Sequence, residues 1–134
     1  SRPGMETILG RRLDLYFGAV KAAAGATTPA TREAAVEKIV ALFAATGTIS
    51  VDDADVATGP EAIAAFYRRG VLAEEGFWPR PVEDSRAVVA ADAIVVDIFL
   101  HSTLRTRFVR DVFRYTDAGL IKRMEVQTLT DHKA

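Results

Sequence analysis

The chain has 134 residues, of which 49% are hydrophobic and 26% are charged, as in an ordinary globular domain. Its 17 Lys and Arg residues nearly balance its 18 Asp and Glu residues, so charge does not predict binding to nucleic acid, and the short apolar runs do not predict a membrane span. The absence of cysteine excludes disulfides and thiolate chemistry, and we expect a reducing, cytoplasmic location.

The N-terminal third is predicted to be helical. We expect residues 1–4 to be an expression remnant or disordered, and residues 5–134 to form a single domain. Apolar residues recur every three or four positions over residues 5–24, which predicts a first helix. The dipeptide Thr28-Pro29 is typical of a helix start, and the second helix is predicted to reach about residue 45.

The middle of the chain is predicted to contain a short strand, a turn and a third helix. Residues 48–51 predict the strand, and the acidic residues 52–55 predict a turn because their side chains compete for backbone hydrogen bonds. Gly59-Pro60-Glu61 has the chemistry of a helix start, and the helix is predicted to end near Gly70. A loop over residues 74–81 follows.

The C-terminal half is rich in Val, Ile, Phe and Thr, which favour strands. We predict strands over residues 84–91, 93–102, 104–116 and 120–130, joined by short turns into an antiparallel meander. Helices first and strands last is the order expected when helices cover one face of a sheet, so the predicted class is α+β.

One predicted strand places a carboxylate among apolar side chains. Because strand side chains alternate between faces, Val109, Asp111, Phe113 and Tyr115 are expected to share one face. An ionised carboxylate would be poorly solvated there, so Asp111 should find a hydrogen-bond partner or become neutral through a raised pKa. The alternative is a structural role, such as pairing with a neighbouring arginine across the sheet.

Three segments of the chain match a known pattern. Residues 59–68 read GPEAIAAFYR, residues 111–121 read DVFRYTDAGLI, and Leu15-Tyr16 falls in the first predicted helix. The pattern resembles that of the ketosteroid isomerase and SnoaL-like families of the NTF2-like superfamily. The resemblance implies a cone-shaped α+β fold, in which three N-terminal helices pack on a curved, mostly antiparallel sheet enclosing a pocket, and it implies no cofactor.

The resemblance also implies roles for individual residues. Tyr16 and Asp111 would donate hydrogen bonds to an oxygen that gains negative charge, and Tyr67 would support Tyr16. Val51 stands where the family keeps its general base, with Asp52 next to it. A one-residue bulge could turn Asp52 inward as the base, and the alternative is that it is a solvated turn residue.

A mostly apolar pocket is expected around these groups. Trp78 would form either a lid over a ligand or a plug that shields the core. Arg68, Arg69, Arg105 and Arg107 are interpreted as solvated residues at faces and strand ends, and not as anion sites. The residues expected to line the pocket are Phe43, Val51, Phe66, Trp78, Val96, Ile98, Leu100, Val109, Phe113 and Met124.

The outer face of the predicted sheet mixes aromatic and charged side chains. Phe99, Phe108 and Val112 would lie there among arginines, which favours closure on a second copy, so we expect a homodimer. His101 is predicted on the same face and His132 in a frayed tail, and two distant imidazoles do not predict a metal site.

The leading hypothesis is therefore a small cofactor-free isomerase or cyclase that binds a hydrophobic, carbonyl-bearing molecule and stabilises an enolate-like intermediate. The alternative from another class is a non-catalytic module that binds a hydrophobic ligand or a partner, which Val51 at the position of the base favours. An epoxide-opening hydrolase or cyclase is a further alternative, although residues 95–101 lack the Arg and Asp pair seen in limonene epoxide hydrolase.

Overall fold

The computed structural model describes the backbone of residues 3–134 and the side chains from residue 7 onward. Helix α1 spans Pro3–Ala24 and helix α2 spans Pro29–Val40. Residues 1 and 2 of the expected N-terminal remnant lie outside the described residues, whereas the backbone of Pro3 and Gly4 belongs to α1. The described part of the chain contains no helix that is long and apolar enough to cross a membrane.

Helix α3 spans Pro60–Ala65 and continues directly into a π-helical segment, Phe66–Val71. The amide of Leu72 donates to the carbonyl of Tyr67, which is the i→i+5 bond of a π-helix. This wider turn ends the third predicted helix, and π-helical turns of this kind are frequent at functional sites.

Within residues 3–134 seven strands form one mixed sheet. The strands are β1 Phe43–Val51, β2 Ala54–Thr58, β3 Trp78–Pro81, β4 Ala87–Ala90, β5 Ala93–His101, β6 Arg105–Tyr115 and β7 Ile121–Lys133. Their order in the sheet is β2-β1-β7-β6-β5-β3, with β4 also paired to β5. Strands β1 and β7 are parallel and every other pair is antiparallel. The predicted α+β class is confirmed, and β5, β6 and β7 form the expected meander.

Several predicted boundaries were wrong because strand pairing overrode local preference. Helix α2 does not reach residue 45: Phe43 already pairs with Ile121, and the Ile121 amide donates to the Leu42 carbonyl at 2.8 Å. The predicted turn is confirmed at residues 52 and 53, but Ala54 and Asp55 already belong to β2, and the end of the predicted loop over residues 74–81 forms β3. His132 is not in a frayed tail, since β7 extends past it and pairs it with Thr106.

The predicted alternation along β6 is confirmed. Val109, Asp111, Phe113 and Tyr115 are all buried, whereas Arg110 on the opposite face is exposed. Asp111 and Ser50 are the polar or charged members of the buried set, so Asp111 stands out among apolar neighbours.

Helix α1 packs its apolar stripe onto this inner face of the sheet. Leu13 and Val20 are buried, and the Tyr16 ring lies 4.8 Å from the Phe113 ring of β6, centroid to centroid. Phe17 also meets Phe113 edge to face at 6.2 Å. Such aromatic pairs add to the stability gained by burial. They hold Tyr16 over the middle of β6.

Candidate functional site

A cavity of about 330 Å³ opens between α1, the π-helical segment and the inner face of β5, β6 and β7. This volume lies at the lower end of the range for small-molecule pockets. Most of the wall is apolar. The residues of α1 that line it are Tyr16, Phe17 and Val20, those of the sheet include Ile98, Leu100, Val109, Met124 and Val126, and Phe66, Val71 and Phe77 lie opposite.

Two tyrosines meet in the wall of this cavity. The Tyr16 and Tyr67 hydroxyl oxygens are 2.5 Å apart, and Tyr67 can in turn donate to the Met124 sulfur at 3.7 Å. Burial raises the pKa of Tyr16 well above its usual value, and the neighbouring Tyr67 and Asp111 raise it further. Burial likewise raises the pKa of Tyr67. Both phenols therefore keep their protons and remain hydrogen-bond donors.

Asp111 shares the cavity wall and has no hydrogen-bond or ion-pair partner among the described side chains. It is 5% exposed, its Oδ1 atom is buried without a hydrogen bond, and none of the described arginines pairs with it. Burial, and to a smaller extent the charge of Asp97, raises the pKa of Asp111 from 3.8 to about 8. At neutral pH the group is thus mainly a neutral carboxylic acid, which can donate a hydrogen bond.

Asp52 lies outside the cavity. It occupies a two-residue turn between β1 and β2 with Asp53, and both have positive φ, 48° and 70°. Its carboxylate accepts from the Thr128 amide at 2.8 Å and from the Thr128 hydroxyl at 3.0 Å, and the residue is exposed. Val51, one residue earlier, lines the cavity in its place.

The other residues expected at the pocket occupy three kinds of position. Those that line the cavity are Val51, Phe66, Ile98, Leu100, Val109 and Met124. Phe43, Val96 and Phe113 are buried in the surrounding core instead. Trp78 is 45% exposed on β3, where the Lys21 ammonium lies 5.9 Å from its ring, while its neighbours Phe77 and Pro79 line the cavity.

A charged cluster at one end of the cavity was missed by sequence reasoning. It consists of Glu74, Arg105 and Arg107, which all line the cavity. Glu74 accepts from both arginines and from Ser102. The sequence predicts that the two arginines are solvated, whereas they line the cavity from odd-numbered positions on β6, as Asp111 does. This shared parity is the signal that could have placed them.

Comparisons with known proteins show the fold. No family model and no curated protein sequence matches the chain. Among solved structures, SalBIII, described as an epoxide hydrolase/cyclase-like enzyme in pyran ring formation in salinomycin, is 20% identical, covering 94% of this chain and 98% of that chain with a TM-score of 0.72. An NTF2-like protein of unknown function from Exiguobacterium sp. 255-15 is 18% identical over 87% of this chain and 97% of that chain, with a TM-score of 0.68.

A third similar structure contains a ligand. Rv0760c from Mycobacterium tuberculosis, solved in complex with estradiol-17β-hemisuccinate, is 22% identical over 89% of this chain and 92% of that chain, with a TM-score of 0.65. These likenesses, all below 25% identity, show that the chain has the NTF2-like fold. The expectation from the sequence motifs is confirmed at that level.

Proposed function

We propose that the protein binds a hydrophobic, carbonyl-bearing small molecule and stabilises negative charge on its oxygen, as an isomerase or cyclase that needs no cofactor. The observation that carries the proposal is the presence of two protonated donors, Tyr16 and Asp111, in the wall of one apolar cavity. The crystallisation of the similarly folded Rv0760c with a steroid ester supports a polycyclic or similarly apolar ligand.

The chemistry follows from how the two donors are held. As a ketone becomes an enolate, its oxygen gains charge, and donors fixed in a water-poor site stabilise that charge without reorganising. Tyr67 can turn its proton toward Tyr16, which frees the Tyr16 proton for the ligand. Asp111 has no competing acceptor among the described residues, so its proton is also available.

Proton removal is the weaker part of this catalytic scheme. Asp52 is bonded to Thr128 at the surface, and the carboxylates that line the cavity are Asp111 and Glu74. The hydrogen bond from Arg105 is the main cause of a lowered pKa at Glu74, which makes that carboxylate a poor base. This arrangement favours a second candidate, a binding module that holds the same ligand without transforming it.

Isotope exchange separates the two candidates. The bicyclic ketone 2-tetralone is incubated with the protein in deuterated buffer at neutral pH, and exchange at its α-carbon is followed by NMR. An enolate-stabilising enzyme accelerates exchange above the buffer rate, and removing one donor in Tyr16→Phe or Asp111→Leu lowers that acceleration by about 10²–10³. Bound ketone that exchanges only at the buffer rate contradicts enzyme activity and leaves the binding module.

Tyr115→Phe provides the matched control. Tyr115 is a buried tyrosine on the same strand face as Asp111, its hydroxyl has no hydrogen-bond partner within the described part of the chain, and it does not line the cavity. Removing that hydroxyl should leave exchange unchanged. An equal loss in Tyr115→Phe and Tyr16→Phe would show that the effect comes from general disturbance of the core.

A further inference from the structure

Strand β6 forms one continuous wall of the cavity, from a charged end to a neutral acid. Arg105, Arg107, Val109 and Asp111 all line the cavity from alternate positions of this strand. Asp111 lies four positions after Arg107 on the strand, so their Cα atoms are about 13 Å apart at the usual rise of a strand. A ligand lying along β6 would therefore meet arginine side chains at one end and the neutral carboxylic acid of Asp111 at the other.

Arg107, the arginine nearer to Asp111, has fewer hydrogen bonds than Arg105. Arg105 donates three hydrogen bonds, from Nε and Nη2 to Glu74 and from Nη1 to Asp131, each 3.2 Å long. Among the described residues Arg107 has one hydrogen bond, from Nη2 to Glu74 at 3.2 Å. Its Nε atom is buried without a partner. Unused donors on a half-buried guanidinium are costly, and an anion would satisfy them.

The charges of the cavity wall point the same way. Of the ionised residues that line it, Arg105 and Arg107 are positive and Glu74 is negative, because Asp111 is mainly neutral at pH 7. Asp131 pairs with Arg105, whereas Arg107, in the described part of the chain, pairs only with the Glu74 carboxylate that Arg105 also binds. Burial is the main cause that lowers the pKa of Arg107, and the charge of Arg105 adds to it, while Glu74 and Asp131 act in the opposite direction. An anion on the unused donors of Arg107 would therefore offset the cost of burying this cation.

We infer that the ligand is a rod-shaped molecule with a carboxylate at one end, which Arg107 binds, and a carbonyl or phenolic oxygen at the other. The inference rests on the proposed function for the second end, which lies at Tyr16 and Asp111. A carboxylate suits the guanidinium because its two oxygens match the planar fork of N–H donors. Arg107 is thus a specificity-determining residue.

Matched probes test the carboxylate end. The probes are 4′-hydroxybiphenyl-4-carboxylic acid and its neutral carboxamide, which share one rigid shape, with affinities measured by isothermal titration calorimetry at pH 7. The wild-type protein should bind the acid about tenfold more tightly than the amide, as expected for hydrogen bonds to a charged group. Equal affinity, weaker binding of the acid, or no binding of either probe overturns the inference.

Variants assign the preference to one residue. Arg107→Gln should abolish the preference for the acid and leave the affinity for the carboxamide within about twofold, whereas Arg107→Lys should keep part of it. The control is Arg110→Gln, which removes an arginine from the outer face of the same strand, where it binds Asp97 at 2.8 Å, and should keep the full preference. A preference that survives in Arg107→Gln, or is lost in Arg110→Gln, contradicts the assignment.

The same probes distinguish failure of the carboxylate site from failure of the proposed function. Tyr16→Phe should weaken both probes equally, since it acts on the phenol that they share, and should leave their affinity ratio at about ten. If Tyr16→Phe has no effect but the ratio still depends on Arg107, the proposed oxyanion site fails and the carboxylate site stands. If Tyr16→Phe weakens the binding of both probes and the affinity ratio is one in the wild type, the carboxylate site fails and the proposed oxyanion site stands.

Discussion

The replacement Asp111→Asn should stabilise the protein at neutral and alkaline pH. Burial raises the pKa of Asp111 from 3.8 to about 8, so the folded protein keeps a proton that the unfolded chain has lost. Asparagine has nearly the shape of the protonated acid and never ionises. The variant therefore folds without taking up this proton, and its stability should depend less on pH.

The sign and size follow from the raised pKa. The contribution of Asp111 to stability is fully present below about pH 4 and is lost as the pH rises to about 8. Each pH unit between these values is worth about 1.4 kcal/mol, which gives at most about 6 kcal/mol. Relaxation of the protein and entry of water reduce the free-energy cost of burying a charged carboxylate to several kcal/mol. Tyr16 and Tyr67 stay neutral across this range, because burial raises the pKa of both.

Urea denaturation between pH 4 and pH 9 measures this difference. The free energy of unfolding of Asp111→Asn should match that of the wild type near pH 4 and exceed it by several kcal/mol near pH 8. Asp53→Asn serves as the control, because Asp53 is exposed in a tight turn with positive φ, which asparagine tolerates. Parallel pH profiles of the wild type and Asp111→Asn would refute the conclusion that Asp111 is a buried neutral acid.

Three further predictions concern packing, backbone and assembly. Phe113→Ala should lower the free energy of unfolding by about 3–5 kcal/mol in urea denaturation, because Phe113 is fully buried against Tyr16; a loss below 1 kcal/mol would contradict this packing. Gly119→Ala should cost about 1–2 kcal/mol in the same assay, since Gly119 has a φ of 87° and its Cβ would lie 3.2 Å from the Arg12 guanidinium; an unchanged midpoint would count against it. Phe108→Glu should convert the expected homodimer into a monomer in sedimentation equilibrium, because the Phe108 ring lies on the outer sheet face, 4.4 Å from the Phe99 ring; a wild-type monomer would remove the expectation.

Strand parity made the inner face of β6 predictable from sequence. Val109, Phe113 and Tyr115 are apolar at alternate positions, so the only face that Asp111 could share was the buried one. The same parity applied to Arg105 and Arg107, but their long side chains and their place near a strand end favoured a solvated interpretation. The alternation of side chains along a strand does not reveal that another segment, here the loop with Glu74, packs over the start of β6.

The parts that sequence did not predict depend on contacts between distant residues. Glu74 belongs to the charged cluster only because its loop packs beside the start of β6. Glu74 and its partner Arg105 are 31 positions apart in the sequence. The end of α2 was misplaced because Leu42 and Phe43 are acceptable in a helix, and their pairing with β7 is invisible locally. Asp52 could have pointed either way until its bonds to Thr128 were known.

The most direct test of the central claim is the ionisation state of bound 4-nitrophenol, whose ionised form absorbs visible light. If Tyr16 and Asp111 both donate to one ligand oxygen in the cavity, the bound phenol should ionise at a lower pH than the free phenol. Tyr16→Phe should reverse most of that shift. A bound phenol that ionises at the same pH as in water, or at a higher pH, would contradict the account.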